Sequence, residues 1–290
     1  MLSNTIANRM QQNPRNFITN ICNSIIKRYD SEYIEHTPEY LHQNRIEFEK
    51  PIFDYLREQY LPFLKNWWKT YTLPSAAEAK NSILIYETRQ HENLEFLLYN
   101  STFYCPNWTL TIYCTRQNYD SICSILAHNK DRASLHIVNE KSGEYIADRN
   151  GYISFMKSAQ LWTSLPYEYV LLLEMDAYLL RRVPTTLTAD YYCAAWPWHL
   201  DFPGGSGLTV RKVAAMREIC AQLPESATVI FDQDYWASAG IKELKKTADN
   251  SLFSEAVLFQ NPVGVHQWWT FMQPDERYIQ CYIDYLMLKA

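Results

Sequence analysis

The sequence predicts an α/β fold in which a mostly parallel, doubly wound sheet is flanked by helices. Strand-like and helix-like patterns alternate through the middle of the chain, which is typical of parallel sheets. One strand, residues 169–173 (YVLLL), is apolar at every position, as expected when both of its faces are buried. Because such sheets carry ligand sites at the carboxyl ends of their strands, the residues that follow a strand are the first candidates for a functional site.

Residues 1–80 are predicted to form a helical N-terminal extension, ahead of the sheet-forming region in residues 81–290. Apolar residues recur at helical spacing through most of the extension, and Pro38 and Pro62 predict breaks in it. Residues 72–80 contain a proline and several alanines and predict a linker. The amphipathic pattern suits three roles equally: covering the sheet, self-association and recruiting a substrate.

The sheet region begins with a βαβ unit. Residues 82–88 (SILIYET) and 108–115 (WTLTIYCT) predict strands, and residues 91–104 between them predict a helix. A second helix is predicted over 148–165, directly before the buried strand 169–173.

Composition and charge exclude several classes of protein. A hydrophobic content of 47% and a charged content of 20% indicate a folded chain. The net charge of -5 and the scattered basic residues argue against a nucleic-acid partner, whereas the acidity fits a site for a divalent cation. No apolar run predicts a membrane span or a signal peptide. Together with seven cysteines and no CxxC pair, this predicts a cytoplasmic protein.

Two carboxylates follow the buried strand. Glu174 and Asp176 stand at i and i+2, so on extended backbone they point the same way and can share a cation. The alternative interpretation is that the two acids simply lie at a solvent-exposed strand end, which would show the same spacing. Further along, His266 lies beside two tryptophans; a lone histidine is more often structural, but with the acid pair it becomes a candidate third metal ligand.

Two further motifs contain candidate site residues. Gly204, Gly205 and Gly207 lie within four residues, where the backbone can approach a ligand closely or form a plain turn. Asp232 and Asp234 lie among aromatic residues, where a carboxyl can have a raised pKa and act as a general base, or can cap a helix.

The order of these pieces resembles GT-A-fold glycosyltransferases, in particular a poorly characterised family found in large DNA viruses, bacteria and fungi. The resemblance extends from about residue 83 to residue 266. It is carried by the segments ILIYETRQHENLEFLLYN, WTLTIYCT, YISFMKSAQLWTSLPYEYVLLLEMDAYLLR, YYCAAWPW, GGSGLTVRK and FDQDYW. It implies a GT-A-like (Rossmann-like) catalytic domain that transfers sugar from a nucleotide-diphosphate sugar to a hydroxyl of a glycan or glycoconjugate, in the cytoplasm, or the host cytoplasm if the protein is viral.

The resemblance also implies roles for individual residues. Asp176, assisted by Glu174, would bind Mn²⁺ or Mg²⁺ and with it the donor diphosphate, although Glu174 stands where the family usually has Asp. Asp232 or Asp234 would be the base of an inverting transfer. Donor contacts are implied for Thr88, Arg89, Tyr152, Lys157, Glu174, Gly205 and Gly207.

Two other functions fit the same residues. A metal-dependent hydrolase of nucleotide sugars would use the acids to activate water and would need no acceptor. A carbohydrate-binding relative would keep the fold and its aromatic residues without catalysing a reaction. The acid pair and the downstream acidic motif together favour a transferase. Sugar, nucleotide, acceptor, oligomeric state and the choice between inversion and retention do not follow from the sequence.

Overall fold

A mixed sheet covered by helices on both faces forms the centre of the structure. The computed structural model describes residues 38–138, 149–196, 201–222, 232–256, 258, 261–270, 280, 283, 284 and 287. Its helices are α1 (Pro38–Trp68), α2 (Leu94–Tyr104), α3 (Arg116–Leu126), α4 (Arg149–Met156), α5 (Ala159–Ser164), α6 (Val213–Gln222) and α7 (Gln233–Glu243). Its strands are β1 (Asn81–Tyr86), β2 (Thr109–Cys114), β3 (Ser134–Ile137), β4 (Tyr169–Leu173), β5 (Ala177–Leu179), β6 (Tyr191–Ala194), β7 (Leu208–Lys212), β8 (Ala248–Glu255) and β9 (Gly264–His266).

In the described residues the strands form one sheet in the order β3-β2-β1-β4-β7-β6-β8-β9-β5. Strands β3, β2, β1 and β4 are parallel, as are β6, β8 and β9, whereas β7 and β5 pair with their neighbours in antiparallel fashion. The prediction of a mostly parallel, Rossmann-like α/β fold is confirmed. The antiparallel strands are the five-residue β7 and the three-residue β5.

Helices pack against both faces of the sheet, and successive strand residues point to opposite faces, so a strand such as β1 contributes to two apolar clusters. Ile83 and Ile85 of β1 pack in one apolar cluster with α1 and α2, whereas Leu84 packs in a second cluster with α5, α6 and α7. Strand β4 is buried at all five positions, in agreement with its apolar sequence. The carboxyl ends of β1 and β4 lie side by side because the two strands pair in parallel.

The N-terminal helix differs from the sequence prediction at Pro62. Helix α1 continues through Pro51 and Pro62 to Trp68. A proline inside a helix costs roughly 3 kcal/mol, but Leu64 and Trp68 beyond Pro62 are buried in the core with the sheet. Burying each of these side chains offsets about 1.5–3 kcal/mol, which is enough to continue the helix. The part of the predicted extension in residues 1–37 lies outside the described residues, and the boundary at residue 80 stays a prediction.

The helix predicted over 148–165 is two helices, α4 and α5, separated at Ser158. Ser158 has extended backbone angles, and its hydroxyl accepts a hydrogen bond from the Leu161 amide at 3.2 Å. Serine is a preferred residue at this capping position because its oxygen satisfies an amide that lacks a helical partner. Across the described part of the chain, no helix combines the length and the apolar character that a membrane span requires.

Candidate functional site

Three metal-ligating side chains meet at the carboxyl end of β4. Glu174 directly follows this strand, and its amide donates to the Gly207 carbonyl at 2.8 Å. Asp176 directly precedes β5, which pairs with β9 so that Ala177 stands opposite His266. This pairing brings a histidine 90 residues further along the chain beside the acid pair.

The three side chains fit a small divalent cation. His266 Nε2 lies 3.1 Å from Asp176 Oδ1 and 3.8 Å from Glu174 Oε2. The three potential ligand atoms all lie within 4.8 Å of one another. Ligands about 2.1 Å from one ion lie up to about 4.2 Å apart, so small side-chain adjustments suffice. Carboxylate oxygen with one imidazole nitrogen suits Mn²⁺ and is compatible with Mg²⁺.

Gly207 lies next to Glu174 and His266, and its lack of a side chain leaves space for an ion between them. A Cβ at this position would stand 2.6 Å from Glu174 Oε2 and 2.7 Å from His266 Nε2. Only hydrogen fits there without displacing both side chains. At Gly205 a Cβ would lie 2.7 Å from the Asp234 Cβ, so both glycines bring backbone close to candidate site residues.

Outer contacts hold each of the three side chains. The Tyr152 hydroxyl donates to Glu174 Oε1 at 2.6 Å, and the Gln267 amide group donates to Asp176 Oδ2. The carboxylate of Glu255 lies 3.3 Å from His266 Nδ1. Ordered partners of this kind are common around metal ligands because they fix the direction of each lone pair.

Burial and mutual charge shift the pKa values of the group. Burial raises the pKa of Glu174. Burial also acts to raise the pKa of Asp176, but the charge and hydrogen bond of His266 outweigh it and hold this pKa below its usual range. Burial lowers the pKa of His266, yet Asp176 and Glu255 reverse the effect and raise it well above normal. A protonated His266 would balance the acids, and a bound cation would replace that charge, since it requires neutral imidazole.

The two acids of the FDQDYW motif line the same cavity, but their surroundings differ. Asp232 caps α7, with Oδ1 accepting from the Gln233 amide at 2.7 Å, while Oδ2 accepts from Arg149 at 2.8 Å. Asp234 Oδ1 accepts from the buried guanidinium of Arg211 at 2.9 Å. Within the described residues, its Oδ2 has no hydrogen-bond partner. Burial raises the pKa of Asp234 well above its usual value, although Arg211 partly opposes this.

The loop after β1 supplies another side of the cavity. Arg89 is 69% exposed although its guanidinium forms two hydrogen bonds, each 3.0 Å long, with the buried carboxylate of Glu87. Thr88 also lines the cavity, and its carbonyl accepts from the Thr115 hydroxyl at 2.8 Å. The buried acid thus holds a cationic side chain at the cavity surface. The sequence prediction included Thr88 and Arg89 but missed Glu87.

Helix α1 lines the cavity as well, which the sequence did not predict. The side chains involved are spaced i, i+3, i+4 and i+7, so they form one face of the helix, here called the α1 face: His42, Arg45, Ile46 and Glu49. Asn93 donates to Glu49 at 3.2 Å. Burial, and next the charge of Asp176, raises the pKa of Glu49 to about 7. The spacing was visible in the sequence, but nothing there indicated which surface it would face.

The resulting cavity has a volume of about 590 Å³ and contains polar groups from all of these elements. This volume lies in the range of sites for small molecules and cofactors. Of the predicted site residues, Thr88, Arg89, Tyr152, Glu174, Asp176, Asp232, Asp234 and His266 line it. Gly205 and Gly207 do not line it, but a Cβ at either position would crowd side chains that do. Lys157 does not line it; burial lowers its pKa, and its carbonyl accepts a contact from the Cys220 thiol at 3.5 Å.

Residues 135–271 match the model of the DUF5672 family, whose description is "protein of unknown function". The matched segment contains the acid pair, His266 and both acids of the FDQDYW motif. Helix α1 and the loop after β1 lie outside it. A comparison with curated proteins gave no significant match.

Proposed function

We propose that this protein is a metal-assisted glycosyltransferase that moves a sugar from a nucleotide-diphosphate sugar to an acceptor hydroxyl. One observation carries the proposal: Glu174, Asp176 and His266 converge at a strand end, and Asp234 lies in the same 590 Å³ cavity with one carboxylate oxygen available. A cation site and a separate proton acceptor are the two groups that such a transfer requires. The resemblance to GT-A-fold enzymes supports the same conclusion.

Each group has a distinct task. Glu174, Asp176 and His266 would hold Mn²⁺ or Mg²⁺, which supplies positive charge against the leaving diphosphate. Arg89 adds a fixed cation at the cavity surface for the donor. Tyr152 keeps Glu174 oriented through its hydrogen bond. The donor therefore lies between the loop after β1 and the acid pair.

Asp234 is the base of the proposed reaction. Its Oδ2 accepts the proton of the acceptor hydroxyl as the hydroxyl oxygen bonds to the anomeric carbon and the bond to the diphosphate oxygen breaks, which inverts the configuration. Arg211 holds the carboxylate in place through Oδ1. Asp232 uses both of its oxygens for capping and for Arg149, so we assign it a structural role.

The decisive test is release of nucleoside diphosphate from a panel of UDP-, GDP- and dTDP-sugars, with Mn²⁺, with Mg²⁺ or with EDTA. Metal-dependent release that needs an acceptor supports the proposal. Release at the same rate without acceptor would instead establish a hydrolase, and no release together with glycan binding would establish a binding protein.

A matched pair of variants tests the base. We expect Asp234→Asn to slow transfer by about 10²–10⁴-fold while donor binding is kept, because the amide cannot accept the proton. Asp232→Asn, which keeps the capping ability, should cost less than tenfold. Circular dichroism shows whether both variants fold. The opposite ranking would move the base to Asp232.

The cytoplasmic location predicted from the sequence is part of this proposal. In the described residues, the thiols of Cys105, Cys114, Cys123, Cys193 and Cys220 are all free. Free thiols support a reducing compartment.

A further inference from the structure

The residue beside His266 on the neighbouring strand is Glu255, which has no part in the function proposed above. It is the last residue of β8, and in the parallel pairing of β8 with β9 it stands opposite His266. Its side chain is only 15% exposed. Both of its oxygens have partners: Oε1 lies 3.3 Å from His266 Nδ1, and Oε2 accepts from the Trp196 indole at 3.2 Å.

His266 Nδ1 has two possible partners that cannot be satisfied together when the ring is neutral. The Gly207 amide, 3.2 Å away, is a donor and needs a lone pair on Nδ1. The Glu255 carboxylate is an acceptor and needs a proton on Nδ1. Neutral imidazole carries one proton, so a proton on Nδ1 leaves Nε2 as the acceptor, and the reverse also holds.

Only one of the two tautomers can bind a cation between the acids. Nε2 is the nitrogen that faces Asp176 and Glu174. A metal needs its lone pair, so the proton must be on Nδ1, where Glu255 accepts it. With the proton on Nε2 instead, the ring donates to Asp176 and accepts from the Gly207 amide, and Nε2 has no lone pair left to bind a cation.

We propose that Glu255 is the positioning residue of the metal centre, selecting the His266 tautomer that presents Nε2 to a divalent cation, and that Trp196 holds Glu255 for this task. The inference rests on the cation site of the proposed function but not on sugar transfer. It follows from the positions of the two Glu255 oxygens, since Oε2 accepts from the Trp196 indole while Oε1 lies 3.3 Å from His266 Nδ1. Groups that orient a ligating histidine in this way typically change metal affinity by about 10–100-fold.

Metal binding to the full chain tests the proposal without any substrate. Free Mn²⁺ is measured by electron paramagnetic resonance during titration of wild type and Glu255→Gln. Glutamine has a single acceptor oxygen, so it cannot serve both Trp196 and His266. We expect Mn²⁺ to bind about 10–100-fold more weakly to this variant. Glu243→Gln, at an exposed position of α7, is the matched control and should bind as wild type does.

A rescue experiment separates orientation from general damage. In the double variant Glu255→Gln, Trp196→Phe the indole donor is gone, so the glutamine oxygen can turn to His266 Nδ1. We expect the double variant to bind Mn²⁺ at least about threefold more tightly than Glu255→Gln does, which recovers part of the 10–100-fold loss. A merely structural role predicts that the second change weakens binding further.

Each outcome decides one question. Wild-type Mn²⁺ affinity in folded Glu255→Gln overturns the role of Glu255 and leaves the cation site standing. Absence of Mn²⁺ binding by wild type at millimolar concentrations overturns the cation site itself, and this inference with it. If Glu255→Gln does not fold, Glu255→Asp, which is one methylene shorter and cannot span both partners, is expected to show the same loss, and wild-type affinity there refutes the proposal.

Discussion

Replacing Gly207 by alanine tests where the cation lies. Glu174 Oε2 and His266 Nε2 are 3.8 Å apart, so an ion about 2.1 Å from both lies about 0.9 Å from the line between them. An added Cβ, 2.6 and 2.7 Å from the same atoms, lies about 1.8 Å from that line. Ion and methyl carbon would therefore be at most about 2.7 Å apart, well below the roughly 3.5 Å of a comfortable contact.

Gly207→Ala should thus bind Mn²⁺ at least about tenfold more weakly, because the ion or its ligands must move. The assay is Mn²⁺ titration followed by electron paramagnetic resonance, with unfolding in urea to confirm that the variant is folded. Overpacking itself costs about 1–3 kcal/mol of unfolding free energy.

The control for that cost is Gly240→Ala. Its Cβ would meet the Ile219 side chain at 2.6 Å, which is similar crowding at a position that touches none of the three candidate ligands. Crowding costs about 1–3 kcal/mol and alanine regains about 1 kcal/mol of helix propensity, so this variant should lose some stability and keep its Mn²⁺ affinity. Unchanged Mn²⁺ affinity in folded Gly207→Ala would refute the placement of the ion between Glu174 and His266.

Three more changes have defined outcomes. Asp176→Asn should abolish Mn²⁺ binding and metal-stimulated release of nucleoside diphosphate, because the amide is a poor ligand and no longer balances His266; retained Mn²⁺ binding in calorimetry would contradict its role. In EDTA, the raised pKa of Glu49, about 7 against an ordinary 4.5, means that its ionisation destabilises the folded state as the pH rises from 4.5 through 7. After allowance for partial exposure, Glu49→Gln should therefore gain about 1 kcal/mol of unfolding free energy at pH 8 and little at pH 5. Equal gains at both pH values in urea unfolding would show that its charge is not the cause. Ser158→Ala should cost about 1 kcal/mol in urea unfolding, since α5 loses its cap, and no loss would argue against that cap.

The parallel half of the fold could be predicted from the sequence because its signals are local. Strand β4 is apolar throughout, and β1 and β2 flank a helix of ordinary length, so the βαβ order follows from residue patterns alone. The three-residue strands β5 and β9 could not be predicted in the same way. Their pairing depends on tertiary context, since three residues are too few to carry a periodic pattern.

The candidate site was predictable to a similar extent. Glu174 and Asp176 follow a strand end, a position where the fold itself creates sites, and His266 has a side chain of suitable chemistry. Glu255 has no such signal: it lies at the end of a strand of mixed composition, and only its register opposite His266 gives it a task. Glu49 is separated from Asp176 by more than a hundred residues, so its contribution to the cavity follows from the packing of α1 against the sheet and not from any local pattern.

The division of the cavity between two parts of the chain bears on the proposed chemistry. The segment that matches DUF5672 contains the three candidate ligands and Asp234, which are the groups a transfer step needs. The α1 face and Arg89 lie outside that segment and add polar groups to the same cavity. A substrate bound in this cavity would therefore meet polar groups from both parts of the chain. Glu49 links the two parts: burial raises its pKa most, the charge of Asp176 raises it further, and a cation at Asp176 would offset that second contribution.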